Sequence, residues 1–197
     1  MHDRDRYTRL VLEGAEYELL RARRGLLSRW SIPQKIRRCS YLLFAASTML
    51  PIMHFLPAAV KQQYVGANPA FSRVSFTALT LFSVCCLLVA SLGLAGTATY
   101  RDRIDDISEQ QAWSLVGIEG LFSGIGFVSG FLGVAVTLAL SSVGYAGIET
   151  VDALVASGVD PYHSRAGIAV TVATASAIAF CCAITVFVLG VFTESLE

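Results

Sequence analysis

Leu121 to Leu140, LFSGIGFVSGFLGVAVTLAL, passes through the middle of the chain without a single charge. At about 1.5 Å per residue, a helix of that length matches the roughly 30 Å hydrocarbon core of a bilayer. It contains Gly124, Gly126, Gly130 and Gly133. Glycine weakens a helix in water but recurs in membrane helices, where it lets a neighbouring backbone come close. The stretch predicts a transmembrane helix shaped to touch other helices.

Three more apolar runs flank it, giving expected spans of about 40–60, 74–99, 113–140 and 166–192. The charged fraction is 15%, against about 25% in soluble domains, so a soluble globular fold is excluded. The expected fold class is an all-α integral membrane protein. Residues 40–197 would form a four-helix transmembrane bundle, and residues 1–39 a cytoplasmic, basic, amphipathic helical segment. The first apolar run begins only near Ser40, too late for a cleaved leader, so the first span is expected to be retained.

In the N-terminal segment, Tyr7, Val11, Ala15, Leu19, Ala22, Leu26 and Trp30 recur at steps of three or four, the signature of one apolar stripe. Arg21, Arg23, Arg24, Arg29, Lys35, Arg37 and Arg38 follow with no acid among them. Such a helix suits an anionic leaflet, each basic residue near the surface contributing ~1 kcal/mol. The alternative is a juxtamembrane helix packed on its own bundle.

Local chemistry marks the helix boundaries. Ser31 and Gln34 have capping-box spacing, with Pro33 in the first turn, and Ser108 and Gln111 repeat the pattern before the third span. Pro51 leaves the carbonyl of Ser47 without its helical donor and predicts a kink. Ile148 to Ser157 reads as a short surface helix, and Asp160-Pro161 as a turn.

Orientation follows from the basic residues. Twelve of the fifteen Lys and Arg lie in the N-terminal segment and the Arg101–Gln111 loop, against Lys61, Arg73 and Arg165 in the other two connections. The positive-inside rule then places both termini in the cytoplasm.

Glu119 and His54 are the candidate intramembrane polar residues. If the core begins at Leu121, Glu119 lies at the inner interface, solvated, and this register is preferred because an unpaired acid in hydrocarbon is costly. His54 stands some 21 Å along the first span, too far from Glu119 for an acid–base pair. A histidine bonded to a neighbouring helix is the expectation there. Cys85-Cys86 and Cys181-Cys182 point adjacent sulfurs about 100° apart, which disfavours a shared metal ion and favours small buried apolar side chains. No metal, cofactor or catalytic residue is expected, and no nucleic-acid partner.

Small-residue ridges carry the functional reading. Gly120 with Gly124, and Gly126 with Gly130 and Gly133, suit close helix contacts in span three; Gly167, Thr171, Ala175 and Ala179 do so in span four. The expected function is a non-catalytic multi-pass protein that self-associates or binds a membrane partner through these faces. The alternative is a small transporter or channel passing Glu119 and the Ser/Thr-rich face of span two.

Overall fold

The structure, a computed structural model, describes residues 30–103, 108–163 and 170–195. All regular structure among the described residues is helical. Among the described residues, three helices are long and apolar enough to cross a membrane: Ser75–Asp102, Gln110–Ala146 and Val172–Glu194. A fourth crossing exists if Ile32–His54 and Ala58–Phe71, bent by 90° to each other, are one span. The stripe of residues 5–30, apart from Trp30, lies outside the described residues, as do Arg21, Arg23, Arg24, Arg29 and Gly167.

Helix α1 (Ile32–Ser47) starts where its capping chemistry dictates. The Ser31 hydroxyl accepts from the Gln34 amide, and the Gln34 side chain accepts from the Ser31 amide at 3.1 Å. It then passes residues 39 and 40 without interruption, so no break separates the basic segment from the first apolar run. A turn at Thr48 precedes α2 (Met49–His54). The kink expected at Pro51 is distributed: a slight interruption at Thr48 and the sharp 90° bend at the Phe55–Pro57 break. Pro57 supplies no backbone donor, so it suits that break. The carbonyl that Pro51 strands is not left open, because the Ser176 hydroxyl of the last helix donates to Ser47 O.

Helix α3 (Ser75–Asp102) is central, lying against α1, the third span and the last helix. Its hydroxyls turn back on their own backbone: Thr80, Ser83, Ser91 and Thr99 each donate to the carbonyl four residues earlier. This is how a polar side chain is satisfied within a membrane helix. The third span is assembled from α4 (Glu109–Gly124), a π-helical segment (Ile125–Gly130) and α5 (Phe131–Ser142), with the Ser108/Gln111 capping box formed at its start. It continues to Ala146, longer than the expected 113–140.

At the far end, Gly147 takes φ 100° and turns the chain into α6 (Ile148–Ala156). That backbone angle favours glycine. Tyr162 packs beneath this cap, its oxygen accepting from the Gly144 amide at 2.9 Å. The Asp160 carboxylate accepts from the amides of Tyr162 and His163, closing the expected turn. The last helix, α7 (Val172–Glu194), lies most extensively along α1. Ala175, Ala179 and Ala183 are fully buried, and the Ser40 hydroxyl donates to Ala183 O at 3.0 Å.

Candidate functional site

Glu119 lies on the inward face of α4, among Ala112, Leu115, Val116 and Ser123, which are all buried. Lys35 occupies the corresponding face of α1, one turn before the buried Cys39. The Lys35 Nζ donates to Glu119 Oε1 at 2.6 Å, and the two side chains are 2% and 3% exposed. Just beyond the pair the helices close up, because a Cβ placed on Gly126 would meet Cys39 Sγ at 3.5 Å. The pair therefore joins α1 to the third span at the end nearest the 101–111 connection.

Two sequence expectations are corrected here. Glu119 is not solvated, whatever its depth, because protein covers it on all sides. Lys35 is withdrawn from the set offered to anionic lipid, since its ammonium is buried against a carboxylate. A buried acid needs a buried base, and an excess acid at the foot of span three was the one signal in the sequence that a basic residue of the arm belonged inside.

The other described members of the basic arm also touch protein. Arg37 pairs with Glu194 at the end of α7. The Arg38 guanidinium lies 3.4 Å from the centroid of the Trp30 ring, and Trp30 meets Phe127 edge-on at 5.6 Å. These contacts hold the start of α1 against the third and last helices.

His54 is exposed, at the end of α2, its ring edge-on to Phe55. Among the described residues the expected imidazole bond to a neighbouring helix is not formed; it is the His54 carbonyl that is engaged, by Lys61 Nζ at 3.0 Å. At the helical rise, His54 lies roughly 28 Å beyond Lys35, so His54 and Glu119 are not brought together. Cys39 is buried, but the expectation that the two cysteine pairs are small buried side chains is corrected: Cys85 and Cys181 lie on the outer surface of their helices, and Cys86 and Cys182 are only half-buried. Among the described residues, no group of three or more His, Cys, Asp or Glu is placed to hold a metal ion.

The small residues divide into two sets. A Cβ on Gly126 would lie 2.7 Å from Ala90 Cβ, on Gly130 2.6 Å from Leu87 Cδ2, and on Gly133 would collide with Ser83 Oγ. These three glycines are consumed inside the chain, against α3. Gly120 and Gly124 are not: a Cβ at either would find nothing within 4 Å, and the same holds for Gly117. Thr171 serves as the N-cap of α7, accepting from the Thr174 amide, instead of extending the alanine ridge.

No protein-family model matches the chain, and neither a curated protein nor a solved structure does so.

Proposed function

We propose that the chain is a non-catalytic, multi-pass membrane protein that joins a second membrane chain, its own copy in the simplest case, through the outward face of α4. In this reading four spans cross the bilayer, both termini are cytoplasmic, and the basic residues before α1 rest on anionic headgroups as an interfacial helix. The bent pair Ile32–His54 and Ala58–Phe71 supplies the first crossing.

One observation carries the proposal. At 100° per residue, Trp113, Gly117, Gly120, Leu121 and Gly124 fall within an arc of about 100°, on the side of α4 turned away from Glu119. Along that arc the glycine positions are open, while Trp113 and Leu121 are 46% and 61% exposed. Small residues flanked by large ones make a groove into which another helix can settle, and close backbone approach is what drives helix association in lipid. The rival pathway along α3 has less support, because its hydroxyls are already bonded to their own helix.

The test is disulfide trapping in native membranes. With the native cysteines replaced by serine, Leu121→Cys should cross-link to a second chain on mild oxidation, and adding Gly120→Leu should abolish it. Cross-linking from Val188, exposed on α7, but not from Leu121 would move the interface elsewhere. Maleimide labelling at position 68 should succeed only from the outer side; labelling only from the cytoplasm would overturn the four-span topology.

A further inference from the structure

A cavity of about 390 Å³ lies between α3 and α4 at the end nearest their connection, lined by Gly93, Gly96, Thr97 and Tyr100 on one side and by Gln111, Ser114, Leu115 and Ile118 on the other. Its volume falls in the range of roughly 300–1,000 Å³ typical of small-molecule sites. It opens at the surface, because Gly96, Tyr100, Gln111, Ser114 and Ile118 are exposed. On α4 it occupies a different face from the Gly117–Gly120–Gly124 arc.

Three of the polar side chains that line it are already engaged through their oxygens. The Thr97 hydroxyl donates to the carbonyls of Gly93 and Leu94, the Ser114 hydroxyl to Gln110 O, and the Gln111 side chain accepts from the Ser108 amide in the capping box. A polar solute entering the cavity would shed water and find few free partners, which is costly. An apolar chain would lose nothing. The absence of a side chain at Gly96, where a Cβ would meet no atom within 4 Å, leaves the α3 wall of the cavity open.

Charge at the mouth selects the kind of apolar ligand. Arg103 caps α3 in a helical conformation, so it continues the face of Gly96 and Tyr100 within an arc of about 60°, while Asp102 points at least about 100° away. Arg103 is exposed. Tyr100, 49% exposed, lies between the apolar cavity and this cation along the helix, and tyrosine is a side chain that suits the boundary between apolar and polar surroundings.

We infer that this cavity holds one acyl chain of an anionic phospholipid whose phosphate meets the Arg103 guanidinium. The site is independent of the association surface proposed above. It fixes one lipid at the α3–α4 junction, and that lipid completes the packing which Gly96 leaves unfilled, Gly93 being already covered by the Phe122 ring.

The test uses the full chain reconstituted with phosphatidylglycerol bearing a photoreactive group on one acyl chain, with adducts mapped by mass spectrometry. Adducts should concentrate on 93–100 and 111–118, and excess unlabelled phosphatidylglycerol should compete them away. Gly96→Leu fills the cavity from one wall and should lower labelling about tenfold while leaving the melting temperature near wild type. Ser114→Phe fills it from the other wall and should do the same. Gly120→Leu, on the opposite face of α4, should leave labelling intact even if it disrupts chain association. Arg103→Gln should remove the preference over phosphatidylcholine. Adducts spread evenly over all lipid-facing helices, or unchanged by both filling variants, would overturn the site. Equal labelling by phosphatidylcholine in the wild type would overturn the headgroup assignment.

Discussion

Lys35 and Glu119, 84 residues apart in sequence, meet at 2.6 Å between α1 and α4 with their side chains almost wholly covered by protein. Removing one partner of such a pair strands the other charge in a medium that solvates it poorly, a loss of about 3–5 kcal/mol. Lys35→Met and Glu119→Leu should therefore each lower the melting temperature in detergent strongly. The double variant Lys35→Met/Glu119→Leu should recover most of the loss, because a buried ion pair is often no more stabilising than a well-packed apolar replacement. If the double variant is worse than either single one, the pair contributes more through its remaining contacts than through charge matching.

The intrachain glycines differ in how much their neighbours can yield. Opposite Gly130 stand Leu87 Cδ2 and Cγ, at 2.6 and 2.7 Å from an added Cβ, in a side chain that can turn about χ1, whereas opposite Gly126 stands Ala90 Cβ, which has no rotamer to change. Gly126→Ala should thus cost about 1–3 kcal/mol by overpacking, and Gly130→Ala less. Ala90→Gly should rescue Gly126→Ala specifically, as judged by thermal melting. The bulkier Gly130→Leu should disrupt the fold, whereas Phe131→Leu, at a residue 57% exposed, should be mild.

Helix boundaries and membrane character were legible in the sequence because they depend on local chemistry. Ser31 with Gln34 and Ser108 with Gln111 carry their own cap partners, and apolar run length reports bilayer thickness directly. What stayed hidden depends on which side of each helix meets which neighbour. Lys35 looks like one more member of a basic arm until α1 is rotated so that its face meets Glu119. Gly120 and Gly126 look alike as glycines; the first faces outward and the second touches Ala90, and a helical wheel of one span cannot distinguish them. The π segment adds to this, since i→i+5 bonding shifts every position after Gly124 relative to an α-helical count.

Burial pushes the Tyr162 phenol up from its ordinary value of 10.0, and the hydrogen bond from the Gly144 amide works in the opposite direction. For a group whose folded pKa is raised, the stabilisation is complete below the unfolded value and is lost as pH rises through the folded value. The cap formed by Tyr162, Gly144 and α6 should therefore be insensitive to pH through the neutral range and loosen only in alkali above about 10. Amide hydrogen exchange of 143–156, corrected for its intrinsic pH dependence, reads this. Tyr162→Phe should weaken the cap at neutral pH yet flatten its alkaline dependence; an unchanged alkaline transition would assign it to another group.

Pro51 and Ser176 define the last prediction. Proline removes the amide that would bond Ser47 O within the first span, and the Ser176 hydroxyl of α7 donates to that carbonyl instead. Ser176 is 6% exposed, so Ser176→Ala would leave a carbonyl without a donor in a place water does not reach, a cost of about 1–3 kcal/mol. Pro51→Ala restores an amide at position 51, and with it the option of a bond to Ser47 O along the helix. The hydroxyl then becomes partly redundant, so Ser176→Ala should cost less in the Pro51→Ala background than in the wild type. Thermal melting of the four proteins gives the coupling energy directly. Additive effects would mean that the amide at position 51 does not take over the bond, and that α7 is held to α1 at this level by the packing of Ala175 and Ala179 instead of by the exchange of a donor between helices.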